Sequence, residues 1–499
     1  MNTIAPRNSA KWQHSQSVFP QQPAEFTLQN APKSPLIVSL LAFYIFLLTS
    51  RALDISRLAL LHIPMILLAC LTIGMLAKGD LKYALRSRVT VALLAFNFWV
   101  CVCFPFSSWR GASLPFVIES IESLLVYLLI VQLVRTIRDW RRTANAYALG
   151  ALGAAILSFF FGQSIEGRVS VVAGSLADPN EFALRLVLGL PFWWHLISQS
   201  GAIRKIFSFL LTAPILVSFA RAGSRSGLLA LMTLLVMMFF FVNIKQKALM
   251  CALAVVGLAA GIAFLPSYLK VRFTTLFAPR DAGQLTQEER DRLGADIGSS
   301  EGREMLLWQG IRMTGEHPVL GIGPGVFADV AWNERKDLSG VGGGLLVSHN
   351  TYTQLSSELG IPGFLFFVTA LFLSIKHALQ DYRNTRERDP PLARASLYVF
   401  VCFIGLTVGI FFLSVGYGML LAIMFGLASS LHETIKSETA RLSSAAEDTQ
   451  PELMDGSIAQ PTGRPAAPPR SRKNRLNGRR VRFGRFVGAE RSSSRPPLH

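Results

Sequence analysis

Leu228–Val242 reads LLALMTLLVMMFFFV, Asn243–Lys247 reads NIKQK, and Ala248–Leu265 reads ALMCALAVVGLAAGIAFL. Two apolar runs flank a polar turn that carries two lysines. A helix needs roughly 17–25 residues to cross the hydrocarbon core of a bilayer. The second run reaches that length and the first nearly does. The stretch therefore reads as two membrane helices joined by a short basic turn.

The same pattern extends outward in both directions. Twelve candidate membrane helices are expected, near 35–50, 58–76, 89–106, 115–134, 144–162, 183–199, 206–220, 226–243, 248–265, 361–376, 394–412 and 416–431. Composition agrees. The 499 residues are 51% hydrophobic and only 16% charged, where a soluble domain carries roughly 25% charged residues. The expected fold is all-α: a polytopic membrane helix bundle of about twelve transmembrane helices with one large helical periplasmic loop. The chain divides into a cytoplasmic N-terminal segment (1–34), transmembrane helices 1–9 (35–265), the periplasmic loop (266–360), transmembrane helices 10–12 (361–431) and a disordered basic cytoplasmic tail (432–499). The first 34 residues are polar and Pro/Gln-rich, so no cleavable signal peptide is evident, and the run from Pro35 is read as the first membrane helix.

The net charge of +18 invites a nucleic-acid reading. Its distribution argues against one. From Arg464 onward there are eleven Arg or Lys and one acidic residue, Glu490, and no stacking or base-reading motif accompanies them. The remaining basic residues sit mostly in short loops. With the N-terminus in the cytoplasm, the inside loops hold Lys78, Lys82, Arg86 and Arg88; Arg135, Arg138, Arg141 and Arg142; Arg204 and Lys205; Lys245 and Lys247; and Lys376, Arg383, Arg386, Arg388 and Arg394. The short outside loops hold only Arg51, Arg57, Arg110, Arg168, Arg221 and Arg225. This is the positive-inside bias, and it places both termini in the cytoplasm. The five cysteines, Cys70, Cys101, Cys103, Cys251 and Cys402, all fall in apolar runs and read as small buried hydrophobes rather than a disulfide frame or metal site.

Several residues can carry chemistry. Arg221 and Arg225 sit in Phe219-Ala-Arg-Ala-Gly-Ser-Arg-Ser-Gly227, against the charge trend. A charge near hydrocarbon usually faces a cavity or partner, and a guanidinium fork suits phosphate or pyrophosphate. Snorkelling to lipid phosphates is the plain alternative. Arg303, in Glu301-Gly-Arg-Glu-Met-Leu-Leu-Trp308, reads alone as a surface ion-pair partner. The stretch Glu301 to Met313 has apolar positions at Met305, Leu306, Ile311 and Met313, consistent with a helix lying on the membrane or the bundle. His349, in Ser348-His-Asn-Thr-Tyr352, can accept a proton near neutral pH or serve as a cap. Asp178-Pro-Asn180 reads as a turn with an N-cap. Arg185 lies one turn further on, facing the bundle or paired with Glu181. Glu119 and Glu122 can balance these arginines or be solvated. Gly321-Ile-Gly-Pro-Gly325 is a turn, not a nucleotide loop. His317-Pro318 reads as a helix end.

Taken in order, four segments resemble the O-antigen ligase/polymerase family, also called Wzy-C-type. They are Asp178-Pro-Asn-Glu-Phe-Ala183; Ser224-Arg-Ser-Gly-Leu-Leu-Ala230; Gly302-Arg-Glu-Met-Leu-Leu-Trp308 with His317-Pro-Val-Leu-Gly-Ile-Gly-Pro-Gly-Val-Phe327; and His349-Asn-Thr-Tyr followed by Glu358-Leu-Gly-Ile-Pro-Gly363. The resemblance covers roughly 170–430. It implies a membrane glycosyltransferase of the GT-C type in the bacterial inner membrane, active on the periplasmic side. Its donor would be an undecaprenyl-pyrophosphate-linked glycan and its acceptor a glycan or lipid A-core. It implies no metal, no other cofactor and no nucleic-acid partner. The catalytic residues it implies are Arg225, Arg303 and His349. Arg221, Asn180, Arg185 and Glu358 are the candidate substrate-binding residues. Ligase and repeat-unit polymerase both remain open. A glycolipid transporter or flippase is the competing reading, although no inverted pair of Gly/Pro-broken helices stands out. The basic tail can also contact anionic membrane lipids.

Overall fold

The structure is a computed structural model that describes residues 36–54, 62–77, 82–165, 168–171, 178–264, 287–336 and 346–449. The N-terminal segment 1–34, Arg57, Lys78, the glycine-rich stretch 340–344 and the tail beyond 449 lie outside the described residues. Residues 1–442 form one compact unit and 443–499 a second, of which only the final helical turns, 443–449, are described.

The chain is helical almost throughout. In order the helices are α1 (Leu36–Ser50), α2 (Ile63–Ala77), α3 (Arg88–Cys103), α4 (Arg110–Leu133), α5 (Ile137–Phe161), α6 (Pro179–Ser198), α7 (Ala202–Leu210), α8 (Thr212–Ala222), α9 (Arg225–Phe241) and α10 (Ile244–Phe264). Then follow α11 (Gln287–Glu316), α12 (Phe327–Lys336), α13 (Thr351–Thr385), α14 (Pro390–Gly409) and α15 (Met419–Thr449). Within the described residues, helix lies in each of the expected spans. Among the described residues, six units are each long and apolar enough to cross a membrane: α3 with its following turn, α4, α5, α7 with α8, α13 and α14. Helices α1 and α2 have 15 residues and α9 has 17. At 1.5 Å per residue, 15 residues reach about 22 Å, short of a hydrocarbon core of about 30 Å. The expected span at 206–220 is two helices meeting at Leu211. The last helix runs on to Thr449, well beyond the expected end near 431.

Small residues let the helices approach. A Cβ on Gly150 of α5 would stand 2.6 Å from Thr49 Cβ of α1, and one on Gly189 of α6 would stand 2.7 Å from Ala151 Cβ. Close backbone packing of this kind replaces the hydrophobic drive that lipid cannot supply between helices. Helices α1 and α5 run in the same direction, since Ser39 meets Arg142 and Ser50 meets Gly153. The buried core is continuous through α1, α3 to α6, α8, α9 and α13 to α15. A separate small core forms from Leu306 and Met313 of α11 with Ile322, Val326, Phe327 and Ala331. Thus the apolar positions of α11 divide: Leu306 and Met313 are buried, while Met305, Trp308 and Ile311 are exposed. The cysteines divide too. Cys103 and Cys402 are buried, but Cys70, Cys101 and Cys251 are exposed on helix surfaces, which suits a thiol facing lipid as well as one in a core.

Among the described residues one element is not helical. Gly162–Ile165 (β1) pairs antiparallel with Arg168–Val171 (β2), with Gly162 opposite Val171 and Ile165 opposite Arg168. This hairpin continues directly from the end of α5 and packs against α6 and α8. It defines what we call the site end of the bundle. The start of α5 lies at the far end, about 37 Å away along a 25-residue helix.

Candidate functional site

The site end is built from loops and helix termini. Asp178 caps α6, its carboxylate accepting from the Asn180 backbone N–H at 2.8 Å, with Pro179 in the first turn. This is the N-cap expected of Asp-Pro-Asn. The Asn180 side chain then ties three segments together. Its Nδ2–H donates to Asp178 at 3.1 Å, and its Oδ1 accepts from Arg168 Nη2 at 2.7 Å and Ser224 Oγ at 2.9 Å. Ser224 is itself the N-cap of α9 and accepts from Gly227 N–H at 3.0 Å. Gly223, left-handed at φ 57°, turns the chain between α8 and α9. Arg225 therefore enters as the first residue of α9, half-buried, next to the knot centred on Asn180.

Arg168 was visible in the sequence only as one more loop charge. In the structure its Nε donates to the Ala222 carbonyl at 3.1 Å while its other arm holds Asn180. Arg51 was likewise missed. It takes a left-handed backbone at φ 55°, pairs with Asp54 at 2.9 Å, and lies within electrostatic reach of Glu119 and Arg185. The signal that could have found both is their position against the positive-inside trend. Arg185 faces the bundle and pairs with Glu181, fulfilling both readings at once. It is 3% exposed and donates to Leu48 O at 3.1 Å and Glu181 at 3.3 Å. Arg221 lies with its guanidinium over the Phe159 ring, 5.2 Å from the ring centre, a cation–π arrangement.

His349 sits across from this knot, just before α13. Its backbone is left-handed at φ 49°, a conformation that costs a non-glycine residue of order 1–3 kcal/mol and persists only where neighbours over-determine it. They do so here. Ser348 Oγ is shared with Asn350 and with Ser414 Oγ at 2.9 Å. Asn350 caps α13, accepting from the N–H groups of Tyr352 and Thr353 at 2.9 and 3.2 Å. Thr351 Oγ1 donates to Leu413 O at 2.6 Å. Burial pushes the His349 imidazole below its ordinary value; the Arg303 guanidinium pushes it further down, and Asp178 pulls it part of the way back. Those two influences place Arg303 of α11 and the capped Asp178 in one electrostatic neighbourhood with His349. At pH 7 this histidine is neutral, the form that accepts a proton.

Glu358 is not open to a ligand in this arrangement. It is 2% exposed, and its carboxylate accepts from Gly325 N–H at 2.9 Å, Phe327 N–H at 3.3 Å and Tyr417 Oη at 2.7 Å. It clamps the Gly321–Gly325 turn to the start of α13 and to the loop before α15. The glycines are needed there. Gly323 (φ 117°) and Gly325 (φ 71°) are both left-handed, and a Cβ on either would collide with Ser107 or Phe116. His317 follows the last residue of α11 and is a helix end, as read from the sequence. Gly360, at φ 68° and ψ −176°, breaks α13. Beyond it Ile361 N–H bonds Pro318 O at 2.8 Å, while Leu359 O accepts from Trp99 Nε1 at 2.9 Å.

The family model described as O-antigen ligase matches residues 206–368. Over that third of its length the chain is similar to the O-antigen ligase family. No curated protein matches it. The O-antigen ligase segment holds Arg221, Arg225, Arg303, His349 and Glu358, while Arg168, Asn180 and Arg185 precede it. The two sets meet where Ser224 bonds Asn180. In this family the partners are, in general terms, a lipid-linked glycan and an acceptor. The apolar helices make the chain an integral membrane protein.

Proposed function

We propose that the chain is a glycosyltransferase of the bacterial inner membrane. It moves a glycan from undecaprenyl pyrophosphate to an acceptor hydroxyl at the periplasmic face, as a ligase or as a repeat-unit polymerase. The observation that carries this reading is His349, neutral and held on a left-handed turn, in one electrostatic neighbourhood with Arg303 and Asp178.

The acceptor oxygen bonds to the anomeric carbon while the bond from that carbon to the pyrophosphate oxygen breaks. The electron pair stays on the pyrophosphate, and the acceptor proton passes to His349. Direct displacement inverts the anomeric centre. Arg225 and Arg303 neutralise the charge that develops on the leaving group, the role a preorganised cation serves in other phosphate chemistry. Arg168 and Asn180 hold the turn that presents Arg225. Arg185 supports it from within the bundle, and Arg221 offers a second guanidinium at the rim. Glu358 acts through the glycine turn rather than on substrate. With the termini cytoplasmic, the site end faces the periplasm.

Deleting the gene in its host and resolving surface and lipid-linked glycans by size tests the reading. Single repeat units on the carrier with long chains lost identify a polymerase. Long chains retained on the carrier, with lipid A-core bare, identify a ligase. In both cases His349→Ala protein is present in the membrane and fails to complement. An unchanged glycan profile overturns the proposal and favours transport.

A further inference from the structure

At the far end of the bundle, α1 and α5 enclose a groove of about 600 Å³. That lies within the range of ligand-sized cavities. Its lining follows helical spacing on both walls: Ser39, Ala42, Phe43 and Phe46 on α1, facing residues from Arg138 to Leu149 on α5. The spacing sorts the groove by polarity along its length. Arg138, Arg141 and Arg142 stand at its mouth, where α5 begins. Deeper along the helices come Ala146, Leu149, Phe43 and Phe46, with Phe43 and Leu149 turned outward and exposed.

The positive-inside bias explains why arginines sit at this end. It does not explain how they are placed. Arg142 donates to Ser39 Oγ at 2.7 Å, which fastens one guanidinium across the groove. The Arg141 Nε, a donor that an anion can meet, is buried in the lining without a hydrogen-bond partner; so is the Asn145 Oδ1, an acceptor that a phosphate oxygen cannot meet. A buried polar atom without a partner is costly and calls for one. Of the nearby carboxylates, Asp139 accepts from Thr136 Oγ1 at 2.8 Å through one oxygen while its buried Oδ1 has no hydrogen-bond partner, and Asp389 caps α14 through Leu392 N–H at 3.0 Å and lies within electrostatic reach of Arg141. Arg394 adds further positive charge within reach of Arg141.

We propose that this groove binds an anionic phospholipid, its phosphate on Arg138, Arg141 and Arg142 and one acyl chain along Phe43, Phe46 and Leu149. A head of three guanidiniums continuous with an apolar trough is complementary to that molecule in both charge and length order. A basic pocket between membrane helices at the cytoplasmic side recognises lipid head groups in this way. The site is separate from the glycan-transfer site by most of the length of α5 and does not depend on that reading.

The test uses the purified full-length protein, washed with detergent and then offered phosphatidylglycerol, phosphatidylcholine or inorganic phosphate, with bound lipid measured by native mass spectrometry. The expected result is selective retention of phosphatidylglycerol. Arg141→Gln with Arg142→Gln lowers that retention by about fivefold for each guanidinium removed. Leu149→Trp keeps every charge, and hence the topology signal, and also lowers it by narrowing the trough. Equal retention of the two lipids overturns the proposal, as does undiminished retention in both variants. Displacement of phosphatidylglycerol by millimolar inorganic phosphate, with Leu149→Trp without effect, overturns it in favour of a free-phosphate site.

Discussion

An arginine group stands near each end of helix α5, one on the helix itself and one on the elements beyond it, and the two are held differently. At the site end, beyond Phe161, Arg168 is fixed by the Ala222 carbonyl and Asn180, and Arg185 on the neighbouring α6 by Leu48 O and Glu181. At the far end Arg142 reaches Ser39, while Arg141 leaves its Nε unmatched. Both groups consist of guanidiniums beside hydrocarbon. The first is oriented by the protein before any ligand arrives, and the second stands open towards a trough. Fixed cations suit a transition state, whose charge must be met without reorganisation. Open ones suit a ligand that is bound rather than transformed.

The comparison breaks first at His349. Replacing it by Asn, which tolerates a left-handed backbone, should preserve the turn and lower transfer by about 10²–10⁴-fold, the range for loss of a general base. A transfer assay on purified variants checks this, and near-normal turnover would remove His349 from proton transfer. Next is Arg303→Ala, expected to slow transfer about 10²-fold. It should also move the pH profile. The imidazole is depressed in the folded protein, so activity is full above the ordinary value of about 6.5 and falls only as pH drops through the lower, folded value. Removing the Arg303 charge raises that lower value, so the variant should lose proportionally more rate at pH 6 than at pH 8. A parallel profile in wild type and variant would show that Arg303 does not act on His349.

Asn180→Ala sharpens the contrast, because it frees Arg168 and the Ser224 cap without touching any proposed catalytic group. Transfer should fall about tenfold, chiefly in turnover, the scale of a small misplacement near chemistry. If turnover is unchanged, the site-end arginines are no more fixed than those at the far end. Glu358→Ala should cost about 3 kcal/mol of stability by stranding two N–H donors and the Tyr417 hydroxyl, read as a lower melting temperature in detergent. The smallest effect belongs to Arg221→Ala. An exposed cation–π contact is worth about 0.5–1 kcal/mol, so donor KM should rise less than about fivefold.

Much of this was legible in the sequence, for a physical reason. Runs such as Ala248–Leu265 have no aqueous alternative, so helix lies in the described part of each expected span, though among the described residues only six units are long and apolar enough to cross a membrane. Arg225, Arg303 and His349, the proposed catalytic residues, could be named because they stand in short motifs of fixed order. Arg168 could not. Its neighbours Gln163–Ile165 and Val169–Val171 are too few to show a strand period, and its value comes from Asn180 and Ala222, far away along the chain. Glu358 was misjudged for a related reason. A carboxylate beside a candidate site looks available until the N–H groups of Gly325 and Phe327 are seen to occupy it.

The break at Gly360 has a mechanical consequence. What runs as one 35-residue helix is two cooperative units, since the segment from Thr351 to Leu359 is bonded to the glycine turn and to the loop before α15, while the remainder belongs to the bundle. Local opening follows such units rather than helix boundaries. In amide hydrogen exchange, the first two turns of α13 should open together with Ile322–Gly325, leaving the membrane portion protected. The turns that follow His349 can thus yield without the remainder of the helix loosening its packing in the bundle.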